Sequence, residues 1–293
     1  MADRATLSLT ETQTHDPRFV TVDSITNTLG LLAERIHQHP LAADICDDVL
    51  RANYAHSDVF AAVATESLAY STLQAGPDFQ RWLAVQSPRD ITHVDDPVLI
   101  DRAGDTLGIR LNQPDRHNAF SNTLRSGLLD ALRLAEIDHK IARVELRGNG
   151  KSFCSGGDLK EFGTFDNPAA AHLARTRYSP ALHLARLGDR LREGLFAHVH
   201  GATLGSGLEM AACCGHVAAD PLTVFRLPEL DLGLIPGAGG TVSIPRRIGR
   251  WRTAYLVLTG ESVDAETALE WGLIDSIRPR DVEVADPTRT LGL

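Results

Sequence analysis

Two glycine-rich segments decide the reading of this chain: Phe153-Cys154-Ser155-Gly156-Gly157-Asp158-Leu159-Lys160 and His200-Gly201-Ala202-Thr203-Leu204-Gly205-Ser206-Gly207-Leu208-Glu209. Each reads as a strand that ends in a tight turn and opens a helix. Two such turns can each aim one free backbone N–H at the same point. Converging N–H donors are what an acyl-transfer or enolate-forming enzyme needs to hold a developing oxyanion. A glycine at position 157 lets main chain approach a ligand and leaves its N–H unobstructed. Asp158 and Lys160 follow at a helix start, where the dipole and a lysine both favour an anion such as phosphate. On this segment alone, an ordinary glycine turn with solvated charges reads equally well.

The helix after the second turn is expected to begin near Leu208, with Glu209 in its first turn facing the cleft. A helix N-terminus holds a carboxylate ionised, so acid–base work there requires burial to raise its pKa. Glu229, in Leu227-Pro228-Glu229-Leu230, follows a short strand and completes a candidate acid/base pair.

Composition narrows the field. The chain has 293 residues, 43% hydrophobic and 23% charged, an ordinary globular mix, with a net charge of −9. That balance disfavours a nucleic-acid surface. The cysteines Cys46, Cys154, Cys213 and Cys214 form no CxxC pair, so a reduced, cytoplasmic setting is expected. The N-terminus has no signal-peptide core, and no apolar run approaches the ~20 residues that span a bilayer. No membrane partner is expected. His198-x-His200 sets two imidazoles on one strand face without a third ligand nearby, so no metal is expected. Gly237-x-Gly239-Gly240 lacks dinucleotide-loop spacing. Leu204 stands where a GxSxG nucleophile motif needs its first glycine.

Four regions follow from the pattern: a loose polar tail at 1–20, a helical region at 21–95, an α/β region at 96–282, and a tail at 283–293. Ile25, Leu29, Leu32 and Ile36 mark one helix face, and Pro40 breaks it. Second, third and fourth helices follow, the third ended by Gly76-Pro77. This region reads as a packing or assembly module without a chemical motif. A linker through Ser87-Pro88 leads to a strand hairpin around Gly104-Asp105. Ser121 and Asp264 are expected N-caps, and Gly272 a helix stop. A helical stretch is expected from Ala169 to Arg192. Alternating strands and helices make the region α/β with much of the sheet parallel.

Together these pieces resemble the enoyl-CoA hydratase/isomerase (crotonase) superfamily from about Val98 to Ile277. The matching pieces include Leu111 through Phe120, both glycine turns, Arg226-Leu227-Pro228-Glu229, Gly233 through Thr241, Leu258-Thr259-Gly260, and Ala265 through Ile274. The resemblance implies a crotonase-like spiral α/β core of ββα repeats, here preceded by the α-helical N-terminal region. It implies a coenzyme A thioester substrate, no separate cofactor, and a homotrimer or hexamer. Carried over by position, Gly157 and Ser206 would supply the oxyanion-hole N–H groups. Ser155, Gly157, Asp158 and Leu159 would hold the adenine end of coenzyme A, with Arg116 and Lys160 approaching its phosphates. Glu209 and Glu229 fall on the two glutamates that family hydratases use as acid and base, which favours a 2-enoyl-CoA hydratase of fatty acid metabolism, a hydro-lyase. An isomerase, a thioester hydrolase, an aryl-acetyl-CoA oxygenase and a non-catalytic acyl-CoA-binding protein stay open. Two departures stand out. After Asp275 only a short polar tail follows, where the family continues into C-terminal helices, and Ser206 stands where the family commonly has glycine or alanine. The N-terminal helices are expected to substitute for the missing ones. Phe165, Leu173, Tyr178 and Leu182 are candidate linings of the acyl pocket.

Overall fold

Side-chain caps and prolines start the N-terminal helices. The computed structural model describes residues 4–55, 58–86, 95–165 and 167–279. It opens on two short paired strands, β1 (Leu9–Thr10) and β2 (Val20–Thr21). Ser24 accepts from the Asn27 N–H and starts α1 (Ile25–Gln38). Pro40 opens α2 (Pro40–Ala55), and the Asp58 carboxylate accepts from Phe60 and Ala61 to start α3 (Val59–Gln74). Pro77 begins α4 (Pro77–Ala84). Part of the expected linker, residues 87–94, lies outside the described residues, as do residues 280–293.

The sheet grows from a hairpin. β3 (Val98–Ala103) pairs antiparallel with β4 (Thr106–Leu111) around Gly104. Leu107, Ile109 and Leu111 alternate with half-buried neighbours along β4, which is the period of a strand with one face in the core. Ser121 then caps α5 (Asn122–Ile137), whose Leu124, Leu128 and Leu132 are fully buried. β5 (Arg143–Gly148) lies parallel to β4. The expected single helix from 169 to 192 is two, α6 (Pro168–Arg177) and α7 (Pro180–Leu191). Ser179 caps the second and Pro180 cannot continue the first. β6 (Leu195–Val199) extends the parallel sheet, and β7 (Ala202–Leu204) leads into α8 (Ser206–Ala212). β8 (His216–Ala219), β9 (Val224–Arg226), α9 (Gly240–Thr259), α10 (Ala265–Trp271) and β10 (Ser276–Ile277) complete the described chain. The main sheet runs β10-β8-β6-β5-β4-β3, parallel except at β3, while β7 and β9 form a second small parallel sheet. This is the mixed α/β core expected, with four helices ahead of it.

Those four helices do not stand apart from the sheet. Leu32, Cys46, Val49, Leu50, Leu73 and Phe79 belong to the same buried apolar cluster as the strands and α9. The expected face of α1 is used only in part: Leu32 is buried, but Leu29 and Ile36 remain exposed. Leu41, Phe60 and Leu68 on α2 and α3 are exposed as well.

Candidate active site

The two glycine turns lie side by side. Cys154 donates to Ala202 O at 3.1 Å, and Leu204 donates to Cys154 O at 2.9 Å, which laces the first turn to β7. Gly156 carries the left-handed backbone (φ 94°), and a Cβ there would stand 3.3 Å from Leu204 O. Asn118 anchors the first turn from below. It is fully buried, accepts from the Gln113 N–H at 2.7 Å, and donates to Asn149, Ser152 and Phe153 carbonyls at 2.8–3.0 Å. The N–H groups of Gly157 and Ser206 donate to no acceptor among the described residues, and both residues line one cavity of ≈ 370 Å³. Backbone donors almost always find a partner. Two such donors on residues lining one cavity are a chemistry suited to a ligand oxygen.

The helix after the second turn starts at Ser206 rather than near Leu208. Gly205, with φ 45°, makes the turn, so helical geometry begins directly after it. Glu209 then sits in the first turn and is buried. Its Oε2 accepts from the N–H groups of Ala238 and Gly240 at 2.6 and 2.7 Å. Glu229 opens a 3₁₀ turn after Pro228. Its Oε1 lies against Gly205, where a Cβ would approach to 2.6 Å, and its Oε2 is buried without a partner. Both carboxylates line the cavity that holds Gly157 and Ser206.

A third carboxylate joins them from the N-terminal helices, where the sequence shows no chemical motif. Glu66 of α3 is 1% exposed. Its oxygens accept from the Gly239 and Thr241 N–H groups, each at 2.8 Å, and from Thr241 Oγ1 at 2.7 Å. Glu66 and Glu209 thus alternate along residues 238–241, together satisfying the donors at the start of α9. The signal in the sequence was a single carboxylate inside the apolar run Val59 to Tyr70. Nothing in that run says which distant backbone it meets.

Burial sets the titration of all three. It pushes Glu209 well above the usual carboxylate range, and the neighbouring Glu66 and Glu229 charges push the same way. The backbone donors at Ala238 and Gly240 oppose this without overcoming it, so the helix ends do not keep Glu209 at an ordinary value. Burial raises Glu229 to about 8, with Glu66 adding to the shift. Burial likewise raises Glu66 to about 7 against the pull of its hydrogen bonds.

The N-terminal helices also wall the cavity. Tyr70 and Gln74 of α3 line it, and Tyr70 packs so closely on Gly237 that a Cβ there would come within 2.4 Å of the ring. Of the expected acyl linings, Phe165 faces this cavity and Tyr178 a small recess beside it. Leu173 is exposed instead, and Leu182 packs against the Ala62, Val63 and Val242 cluster.

An outer cleft of ≈ 900 Å³ shares Ser155, Gly157, Asp158 and Leu159 with the inner cavity and adds Arg116 and Lys160. All the residues expected to hold coenzyme A therefore border one cleft. Asp158 is buried, ion-paired with Arg116, and its Oδ1 accepts from the Lys160 N–H at 3.2 Å. Its carboxylate shapes the turn and offers little to an anionic ligand. His198 and His200 are engaged separately. His198 lies 3.8 Å from Glu145, while the His200 ring meets Gly150 O at 3.1 Å.

Glu66→Gln should lose stability, by about 1–3 kcal/mol, because the amide NH2 has no acceptor for an α9 donor, whereas both carboxyl oxygens keep acceptor capacity even when one carries a proton. A carboxyl whose folded pKa is raised to about 7 contributes stability that is full below its ordinary 4.5 and lost as pH rises through about 7. The melting-temperature gap between wild type and Glu66→Gln should therefore narrow between pH 4.5 and 8. A gap that widens with pH would show Glu66 to be ionised throughout.

The enoyl-CoA hydratase/isomerase family model matches residues 102–292. The chain is 37% identical over 185 residues to the 2,3-dehydroadipyl-CoA hydratase of Escherichia coli (strain K12), covering 63% of this chain and 70% of that protein. It is 34% identical to a probable mitochondrial enoyl-CoA hydratase of Dictyostelium discoideum, covering 62% of this chain and 63% of that protein. The matched part thus spans about two thirds of the length of these relatives. Among solved structures, the enoyl-CoA hydratase from Thermoplasma volcanium superposes with a TM-score of 0.54 at 32% identity, covering 63% of this chain and 72% of that one. Pseudomonas aeruginosa DspI does so with a TM-score of 0.54 at 30% identity, covering 66% and 71%. With a family model matched over more than half its length, on a sheet that brings both glycine turns and both glutamates to one cavity, the chain belongs to the enoyl-CoA hydratase/isomerase family.

Proposed function

We infer that the protein is an enoyl-CoA hydratase, a hydro-lyase that adds water across the 2,3 double bond of an enoyl-CoA thioester. One observation carries this reading: two unpartnered N–H groups and two buried carboxylates line the same cavity. Relatives named as hydratases support it. The thioester oxygen accepts from Gly157 and Ser206, which draws electron density from the double bond towards the carbonyl. Each such donor is worth roughly 10²–10³ in rate. One glutamate takes a proton from water as its oxygen bonds to Cβ. The other delivers its proton to Cα as the enolate collapses. One proton enters the pair and one leaves, so each turnover leaves it with one proton, its place exchanged between the two.

Two like carboxylates in one buried site titrate as a pair, and a single shared proton is their natural occupancy. Having both is what favours hydration over isomerisation, which needs only one group to carry a proton between carbons. The coenzyme A portion fits the outer cleft, with backbone at 155–159 towards the adenine and Arg116 and Lys160 towards the phosphates. The test is a panel of 2-enoyl-CoA thioesters of increasing chain length, followed by loss of the conjugated-thioester absorbance and by product mass. Gain of one water supports hydration. Unchanged mass with a moved double bond would replace it by isomerisation, and free coenzyme A by hydrolysis.

A further inference from the structure

Two arginines face the inner cavity without a carboxylate partner. Arg125 of α5 spends one N–H on Asn122 Oδ1 at 2.6 Å and has no other hydrogen bond among the described residues. Its side chain lies 6.0 Å from the Tyr178 ring centre. Arg175 of α6 reaches only neutral acceptors: Ser67 Oγ at 3.2 Å, Gln74 Oε1 at 3.0 Å, Ser67 O at 3.4 Å, and Ser71 Oγ. It sits 4.4 Å from the Tyr70 ring centre. Neither takes part in an ion pair among the described residues. The carboxylates nearby are already engaged, Glu161 by the Asn122 N–H at 2.7 Å and Glu66 by α9.

Both arginines line the ≈ 370 Å³ cavity and also a ≈ 40 Å³ recess beside it, walled by Ser67, Tyr178 and Ser179. Burial disfavours the charge on each, pulling both guanidinium pKa values down from their ordinary level. Desolvated charges are normally paired. Glu161 and Glu66 favour these charges only from a distance, without a direct ion pair, and a plain alkyl chain in this cavity would remove water from both guanidinium groups and supply no contacting anion.

We propose that the acyl group this cavity accepts ends in a carboxylate, so that the substrate class is an ω-carboxyacyl-CoA, with Arg125 as the anchor and Arg175 as the second charge. This rests on the acyl-CoA reading of the site. Arg125 retains its unspent N–H donors for a forked contact, the geometry in which guanidinium binds carboxylate best. Arg175 is already tied to α3 and contributes mainly charge.

Saturated thioesters test this without turnover, so the outcome is independent of whether the enzyme hydrates. Titration calorimetry on the full chain would compare succinyl-, glutaryl-, adipoyl- and pimeloyl-CoA with butyryl-, valeryl-, hexanoyl- and heptanoyl-CoA. The best ω-carboxy thioester should bind roughly tenfold or more tighter than its matched neutral partner. Capping its carboxylate as the methyl ester should abolish that advantage in the wild-type protein. In Arg125→Gln the ratio should fall close to one. Equal affinities across every matched pair, or an advantage that survives esterification or Arg125→Gln, would overturn the proposal. The wild-type comparison decides the matter even if the variant does not fold. Loss of all thioester binding would overturn the acyl-CoA reading itself, and with it this proposal.

Discussion

Glu229→Gln and Glu209→Gln should each reduce the hydration rate by about 10²–10⁴, the usual contribution of a positioned acid or base. Glutamine keeps the size of the side chain and removes its titration. Glu229 is the cleaner of the two. Its Oε2 is buried without a hydrogen-bond partner, so the change disturbs no protein contact at that atom. Glu209 also holds residues 238–240 through Oε2, so its replacement should cost stability as well as rate. Thioester binding should persist in Glu229→Gln, because the Gly157 and Ser206 N–H groups are backbone. The double variant should be hardly worse than either single one, since a pair that shares a proton fails as a unit.

The pH profile carries a second part of this expectation. With Glu229 raised to about 8 and Glu209 raised beside it, activity should climb as the first proton leaves the pair and fall when the second leaves. Glu66 raises both neighbours through its charge, so Glu66→Gln should move the profile to lower pH. A rate unaffected by Glu229→Gln in the enoyl-CoA assay would remove the hydratase reading.

Removing residues 1–95 should abolish both solubility and activity. Leu50 and Phe79 are 1% exposed, and Val49 and Leu73 are buried in the cluster that contains the sheet and α9. At about 1.5–3 kcal/mol for each buried side chain of this size, these four alone approach the ~5–15 kcal/mol of a whole domain. The deletion would also strip Glu66 from the start of α9 and open the wall formed by Tyr70 and Gln74. Purification of a chain that begins at Asp96, followed by size-exclusion chromatography and the enoyl-CoA assay, checks this. A soluble, active product would refute the idea that the helices complete the site.

Much of the local structure could be read directly. Ser121 and Asp264 cap their helices through backbone N–H groups three residues on, and Gly272 stops its helix in the left-handed conformation. Such interactions close within one turn, so residue type and spacing carry them. The glycine turns with Glu209 belong to the same class. Their pairing was legible only as a convergence of two similar turns, and the Cys154 and Leu204 hydrogen bonds supply it.

Glu66 shows where such reading stops. Its partners Gly239 and Thr241 lie 173 and 175 residues away, and Arg175 meets Ser67 across 108. No periodicity encodes a contact of that span, and a helix of apolar residues with one glutamate looks the same whether it caps a site or merely packs. Pro180 was visible as a residue, but that it divides two helices and that Leu173 on the first is exposed came only from the structure. The sequence by itself determined the α/β core, its two glycine turns and the glutamates beside them, because each is a short-range pattern of backbone geometry and charge. Only the tertiary structure decided that N-terminal helices wall the same cavity, that Glu66 meets the start of α9 beside Glu209, and that the pKa values of Glu66, Glu209 and Glu229 rise together. Burial and the distances between charges are properties of the folded whole.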